Sequence, residues 1–210
     1  MKLYDISQEV FSCAVYPGDP KPEKQTLSAT EDGELYNLTS FYMCAHNGTH
    51  IDAPFHFLSG GKTVDQMDLS VFVGDCYVAR HDGDVTAADA EAILSKAGVP
   101  RILIAGDATV TVEAAEVFAS SGVCLLGNES QTVGPKEAPM QVHLLLLNKG
   151  IALLEGIVLE DVPQGYYFLS AAPLNLGGAD GAPCRAWLMD WKNRKFKRNT
   201  CLFDRFQVRW

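Results

Sequence analysis

At 210 residues the chain is long enough for one substantial domain and short for two. Apolar residues make up 47% and charged residues 20%, an ordinary globular balance, and no apolar run approaches the ~20 residues that span a bilayer. The formal net charge of −9 speaks against a general nucleic-acid binder, so the expectation is a single domain over 1–210 with neither a membrane nor a nucleic acid as partner.

The start, MKLYDISQEV, lacks the uncharged apolar stretch and small-residue cleavage site of a signal peptide, which makes the cytoplasm the expected location. LYDIS reads as a strand. LYNLTSFYMCA (35–45) mixes β-branched and aromatic residues with polar ones, the pattern of a half-buried strand, and runs into AHNGTHIDAPFHF. VFVGDCYVAR (71–80) is a further strand. TAADAEAILSKAG has an N-cap threonine at Thr86, Asp89 three residues on, and Gly98 to close it, which predicts a helix. RILIAG follows as a short buried strand. TVEAAEVFASSG repeats the helix signature and ends at Gly122. VCLLG is again a buried strand, MQVHLLLLNKG a helix closed by Gly150, and IALLEGIVLE the strand after it. GYYFLSAAPL and PCRAWLMDW close the chain as strands. The middle thus alternates as βαβαβαβ, which predicts parallel pairing through right-handed crossovers. The fold class is mixed α/β, built on a central sheet or a closed barrel with strand-rich arms on either side.

Residues 192–210 carry seven Lys or Arg and one acid, leaving ten bases against twenty-five acids in the rest. This basic, aromatic-bearing C-terminal arm is expected to pack on its own acidic domain or on a second subunit; nucleic-acid binding would need a larger basic face. The six cysteines (13, 44, 76, 124, 184, 201) form no CxxC pair. Cys76 and Cys124 lie in apolar runs and read as buried free thiols.

The densest chemistry is AHNGTHIDAPFHF, where His46, His50, Asp52 and His56 crowd a stretch stiffened by Gly48 and Pro54. A single histidine is most often a surface residue or a hydrogen-bonded core residue. Four such side chains together ask for more. Positions 50 and 52 of an extended segment point the same way, and a turn at Asn47-Gly48 would bring His46 back beside them. Two imidazoles and a carboxylate are a standard ligand set for Zn²⁺, Mn²⁺ or Fe²⁺. On the third helix Met140, His143, Leu144 and Leu147 share one face, so His143 points inward, toward a core hydrogen bond or a metal. Glu155 lies inside IALLEGIVL, where a buried carboxylate is costly unless paired or bound to a cation. His81, in the polar turn RHDGD, is given no role.

The quoted stretch matches the pattern His-x-Gly-Thr-His-x-Asp-x-Pro-x-His-Phe and resembles the metal-dependent cyclase-like hydrolase family, which includes the bacterial kynurenine formamidases (arylformamidases) and the isatin hydrolases. LYDISQEV and VYPGDP resemble the family's opening, and HLLLLNKGIALLEGIVLEDVPQGYYFLSAAPLNLGGADGAPCRAWL its closing half. The resemblance implies a mixed β/α/β swivelling domain, a homodimer or homotetramer, and one or two divalent ions per subunit, zinc or manganese. It implies that His46, His50 and Asp52 bind the first metal, that Asp52 bridges to any second one, and that His143 and Glu155 are the later metal ligands. His56 matches the residue taken as proton donor and acceptor. The implied activity is hydrolysis of an amide, formamide or lactam C–N bond in a small aromatic or cyclic substrate by metal-activated water. A biosynthetic cyclase or dehydratase using the metal as a Lewis acid is the alternative, as is a non-catalytic metal-binding protein, though an intact His56 speaks against the latter. The chain departs from the family at three places. Tyr16 stands in VYPGDP where the formamidases have a tryptophan against the aryl substrate, so the implied substrate contact covers less area and gains a hydroxyl. LLGNES lacks the aspartate of the family's Gly-x-Asp-x-x-Ser. The basic arm runs past the family's last strand.

Overall fold

The computed structural model describes residues 1–190; the basic arm expected at 192–210 lies outside the described residues. In chain order the elements are β1 (Lys2–Asp5), β2 (Glu23–Ser28), β3 (Leu38–Tyr42), β4 (His50–Asp52), β5 (Val73–Arg80), β6 (Gly83–Val85), α1 (Ala87–Ala97), β7 (Arg101–Ala105), β8 (Ala108–Val110), α2 (Val112–Ala119), β9 (Leu125–Asn128), α3 (Met140–Leu147), β10 (Ala152–Glu155), β11 (Gly165–Ser170), β12 (Gly181–Pro183) and β13 (Trp187–Asp190). No helix among the described residues is long and apolar enough to cross a membrane.

Nine strands form one sheet in the order β1-β13-β11-β5-β7-β9-β10-β4-β12. Its centre, β5-β7-β9-β10, is parallel, as the strand–helix alternation predicts. RILIA, LLGN and ALLE are buried along their whole length, because helices cover one face and the flanking strands and loops the other. On both sides of this centre the pairing turns antiparallel. Among the described residues β1 and β12 remain as edges, so the sheet they form is open rather than a closed barrel.

The helices form where the sequence caps them. Thr86 accepts from the Asp89 amide while the Asp89 carboxylate accepts from Thr86, and Gly98 ends α1 in the left-handed region. Thr111 caps α2, which ends at Ala119 with Ser120 as its C-cap, short of the expected Gly122. The buried face of α3 is Val142, His143, Leu146 and Leu147, not the stripe through Met140 and Leu144; Met140 is 60% exposed. Because α3 is almost wholly apolar, its sequence defines no face, and packing does.

Side-chain alternation divides the core. Ile102, Ile104, Leu126 and Leu153 meet the helices through Phe118, Val142 and Leu146. Leu103, Leu125 and Leu154 pack on the opposite face with Ile51, Leu169 and Leu188. Since Ile51 and Leu154 belong to that opposite face, His50, Asp52 and Glu155 are turned to the face that carries α3.

The segment expected as a half-buried strand is β3. It is a strand, but among the described residues it pairs only with β2 in a two-stranded sheet and is mostly exposed. The parallel pair β6–β8 is a second small sheet, too short to show in the residue pattern.

Candidate metal centre

β4 lies between β10 and β12 in antiparallel register, with His50 opposite both Glu155 and Pro183, and Asp52 opposite Leu153 and Gly181. This pairing sets His50 and Glu155 side by side. α3 lowers His143 onto them from above. The Cys44–Asn47 turn, closed by the Asn47 amide on the Cys44 carbonyl, carries His46 back to the same place. It passes into β4 through Gly48 at φ +64°, where a Cβ would meet the Cys13 Cβ at 2.9 Å, so the glycine predicted for this bend is required on both counts.

All five of these residues converge. His46 Nδ1 lies 2.8 Å from Asp52 Oδ1, and His50 Nε2 lies 3.3 Å from the same oxygen and 3.5 Å from Glu155 Oε2. His143 Nε2 is 3.1 Å from Glu155 Oε1 and 3.5 Å from Asp52 Oδ2. His50, Asp52, His143 and Glu155 are buried. The Asp52 Oδ2 atom has no hydrogen-bond partner, an expensive condition for a buried carboxylate.

The ring nitrogens show what the site demands. His50 Nδ1–H donates to the Gly48 carbonyl at 3.0 Å and His143 Nδ1–H to the Pro139 carbonyl at 2.9 Å. A carbonyl can only accept, so Nδ1 carries the proton in both rings and Nε2 faces carboxylate oxygens. Unless Nε2 is also protonated or bound to a cation, lone pairs confront one another. Burial pushes both imidazoles down, but the hydrogen bonds and charges of Asp52 and Glu155 outweigh it and raise each to about 10. For Asp52 burial acts upward and is outweighed by its contacts with His143, His46 and His50, which hold the carboxyl well below its usual range. A divalent cation satisfies the same demand, including the orphaned Asp52 oxygen, with the orienting carbonyls typical of histidine ligands. The potential ligand atoms of His46, His50 and Asp52, and of Asp52, His143 and Glu155, each lie within 4.8 Å of one another, so Asp52 is common to two groups.

His56 ends the turn Pro54–His56 and is half-buried, its ring 4.1 Å from that of His46. It borders a cavity of about 400 Å³ whose other walls include Tyr16, Asp19, Cys44, Phe57, Gln131 and Pro139. Tyr16 is therefore at the site, its hydroxyl donating to the Lys136 carbonyl at 3.0 Å. His81 bonds the Asp84 carbonyl outside it. The sequence reading missed Asp180. Its Oδ2 lies 2.8 Å from His46 Nε2 and 3.1 Å from His56 Nδ1. In NLGGADGAPC an aspartate among glycines carries the signal of a turn, and only the pairing of β12 with β4 reveals its neighbours.

Gly181, at the start of β12, lies under the His46 ring; a Cβ there would come within 2.7 Å of His46 Cε1 and of the Ile51 carbonyl. Gly181→Ala is expected to displace His46 and to lower metal occupancy at sub-saturating metal while the far-ultraviolet circular dichroism spectrum stays unchanged. Wild-type metal affinity would show that the ring has room to yield.

The Cyclase family model matches residues 4–134. A kynurenine formamidase from Salinibacter ruber is 37% identical over 208 residues, covering 90% of this chain and 98% of that protein. The solved structure of a potential metal-dependent hydrolase with cyclase activity superposes with a TM-score of 0.76 at 28% identity, covering 89% of this chain and 96% of the other. Isatin hydrolase A from Labrenzia aggregata shares the fold, with a TM-score of 0.77 at 21% identity over 89% of this chain and 93% of its own. The match over most of the sequence, the shared architecture and the convergence of the motif residues agree: this chain belongs to the cyclase family.

Proposed function

We propose that this cyclase-family enzyme hydrolyses the C–N bond of a small aryl amide, an aryl formamide before a lactam, with His46, His50, Asp52, His143 and Glu155 holding one or two divalent ions, zinc or manganese. The observation that carries this reading is the buried meeting of two carboxylates with three imidazoles whose remaining nitrogens face them. The 37% identity to a kynurenine formamidase supports the choice of an aryl formamide.

When bound, a divalent ion lowers the pKa of a coordinated water and polarises the attacked carbonyl. The chain does the rest. Asp52 and Glu155 offset the ion's charge and fix its place. His56, exposed to the cavity beside His46, takes the proton released as water adds to the amide carbonyl and gives it to the departing nitrogen, a task suited to an imidazole, which can both accept and donate a proton. Tyr16 and Phe57 supply aromatic walls for an aryl substrate, and because the Tyr16 hydroxyl is already engaged by Lys136, its ring is what it offers.

Incubation of the metal-loaded protein with N-formylkynurenine, isatin and simple aryl esters, followed by mass spectrometry, tests the reading. Cleavage of the formamide with uptake of water is expected. Turnover without uptake of water would make the chain a cyclase or dehydratase, and no turnover of any amide would end the proposal.

The same proposal includes a homodimer or homotetramer in the cytoplasm. The β2–β3 hairpin supports assembly: a two-stranded sheet is marginal alone in water, and this one exposes Leu27, Leu38, Phe41 and Tyr42. Light scattering coupled to size-exclusion chromatography is expected to give a dimer or larger, and Phe41→Glu with Tyr42→Lys to shift it toward monomer; a monomeric wild type would refute this part. The free thiols of Cys13, Cys44, Cys76, Cys124 and Cys184 suit a reducing compartment.

A further inference from the structure

We infer that Asp180 is a positioning residue that locks His56 and His46 into one arrangement and selects which nitrogen each ring presents; this rests on the hydrolase reading above. One oxygen, Asp180 Oδ2, lies within hydrogen-bond distance of two imidazoles at once, His46 Nε2 at 2.8 Å and His56 Nδ1 at 3.1 Å. An ionised carboxylate only accepts, so both of those nitrogens carry hydrogen. For His56 this leaves Nε2 with the lone pair, and Nε2 is the atom that receives the proton. For His46 it leaves Nδ1, already 2.8 Å from Asp52 Oδ1, to face the metal centre. His46 thereby presents the opposite ring nitrogen from His50 and His143, whose Nδ1–H groups are held by carbonyls.

The carboxylate can do this because its backbone is held. The Asp180 carbonyl accepts from the Ala53 amide at 2.9 Å, and the preceding Ala179 carbonyl from Val64 at 2.9 Å. Ala53 links Asp52 of β4 to the Pro54–His56 turn, so Asp180 is anchored to the same stretch of chain that presents His56. The two rings it joins are nearly stacked, 4.1 Å apart at 33°. Without the shared acceptor, His56 is free to rotate or change tautomer, while His46 keeps its contact with Asp52 Oδ1 at 2.8 Å. Asp180 touches neither the reacting carbonyl nor the leaving nitrogen in this scheme; it acts through His56.

The test is Asp180→Ala in the full-length, zinc-loaded protein, with Asp180→Asn as a milder second variant that keeps one acceptor oxygen. Partners that orient a metal-site histidine typically contribute 10- to 100-fold in metal affinity or activity, so at saturating zinc kcat is expected to fall about that much, with KM within about twofold and the site still fully loaded. In a His56→Ala background the same substitution is expected to cost less than about twofold, because its route of action is already gone. Long-range ¹H–¹⁵N correlation spectra of the imidazoles are expected to show His56 as the Nδ1–H tautomer in the wild type and as a mixture in Asp180→Ala. Loss of zinc would make Asp180 a ligand and overturn the inference, as would a full multiplicative loss in the double variant or an unchanged His56 spectrum. The spectrum needs no turnover, so it decides the role of Asp180 even if the hydrolase reading fails.

Discussion

Treatment with a chelator is expected to abolish amide hydrolysis, and zinc or manganese to restore it. The metal-free protein should then depend on pH in a way the metal-loaded one does not. In the absence of a cation, His50 and His143 answer the charge of Asp52 and Glu155 by remaining protonated up to about pH 10, against an ordinary value of 6.5. Stability from these imidazolium pairs is fully present below about pH 6.5 and is lost as the pH climbs through about 10. Asp52 works from the other side. Its carboxyl, held far below 3.8, contributes stability that is present above that value and lost as the pH falls through the depressed one. The metal-free protein should therefore be most stable between about pH 4 and 6.5. Metal must displace the two protons. Its apparent affinity should consequently rise steeply with pH, approaching a hundredfold per unit if both rings are protonated beforehand. Competition titration with a chromophoric chelator from pH 6 to 8 reads that slope directly. A flat affinity would mean that the two rings bind no extra protons, and full activity in metal-free protein would end the mechanism.

The second large effect is expected at His56. His56→Ala should lower kcat by about 10²- to 10⁴-fold, the usual contribution of a positioned acid–base group, or about 3 to 5 kcal/mol of barrier. Bound metal is expected to remain at the wild-type level, because the proposed ligands are His46, His50, Asp52, His143 and Glu155 and not His56. If the variant instead loses metal in proportion to activity, His56 is a ligand and another group moves the proton. His56 sits half-buried at the cavity wall, and circular dichroism of the variant separates a catalytic loss from gross unfolding.

Much of the centre could be read in the sequence because its chemistry is concentrated. His46, His50, Asp52 and His56 stand within eleven residues, and a carboxylate placed in IALLEGIVL announces its own burial cost. The central strands were equally plain, since RILIA and ALLE are short apolar runs between well-capped helices. α1 starts and stops where Thr86 and Gly98 dictate. What escaped was decided by contacts between distant segments. α3 offers apolar residues on every side, and packing against the sheet chose the face with Val142 and Leu146 over that with Met140. The pattern in β3 suggests a half-buried strand, yet its only strand partner among the described residues is β2, an outcome no local propensity encodes. Asp180 is 134 residues from His46 and meets it only because β12 closes on β4.

β4 is three residues long, and on it His50 and Asp52 look one way while Ile51 looks the other. Sliding this short segment by a single position against β10 would thrust an isoleucine among the carboxylates and drive an imidazole and an acid into hydrocarbon. A divalent ion held by β4, β10 and α3 together would thus also be a clasp that only a correctly aligned β4 can fasten. Capture of such an ion and proofreading of the β4 alignment would then be a single event, and a misaligned chain is expected to be inactive and poorly loaded for the same reason.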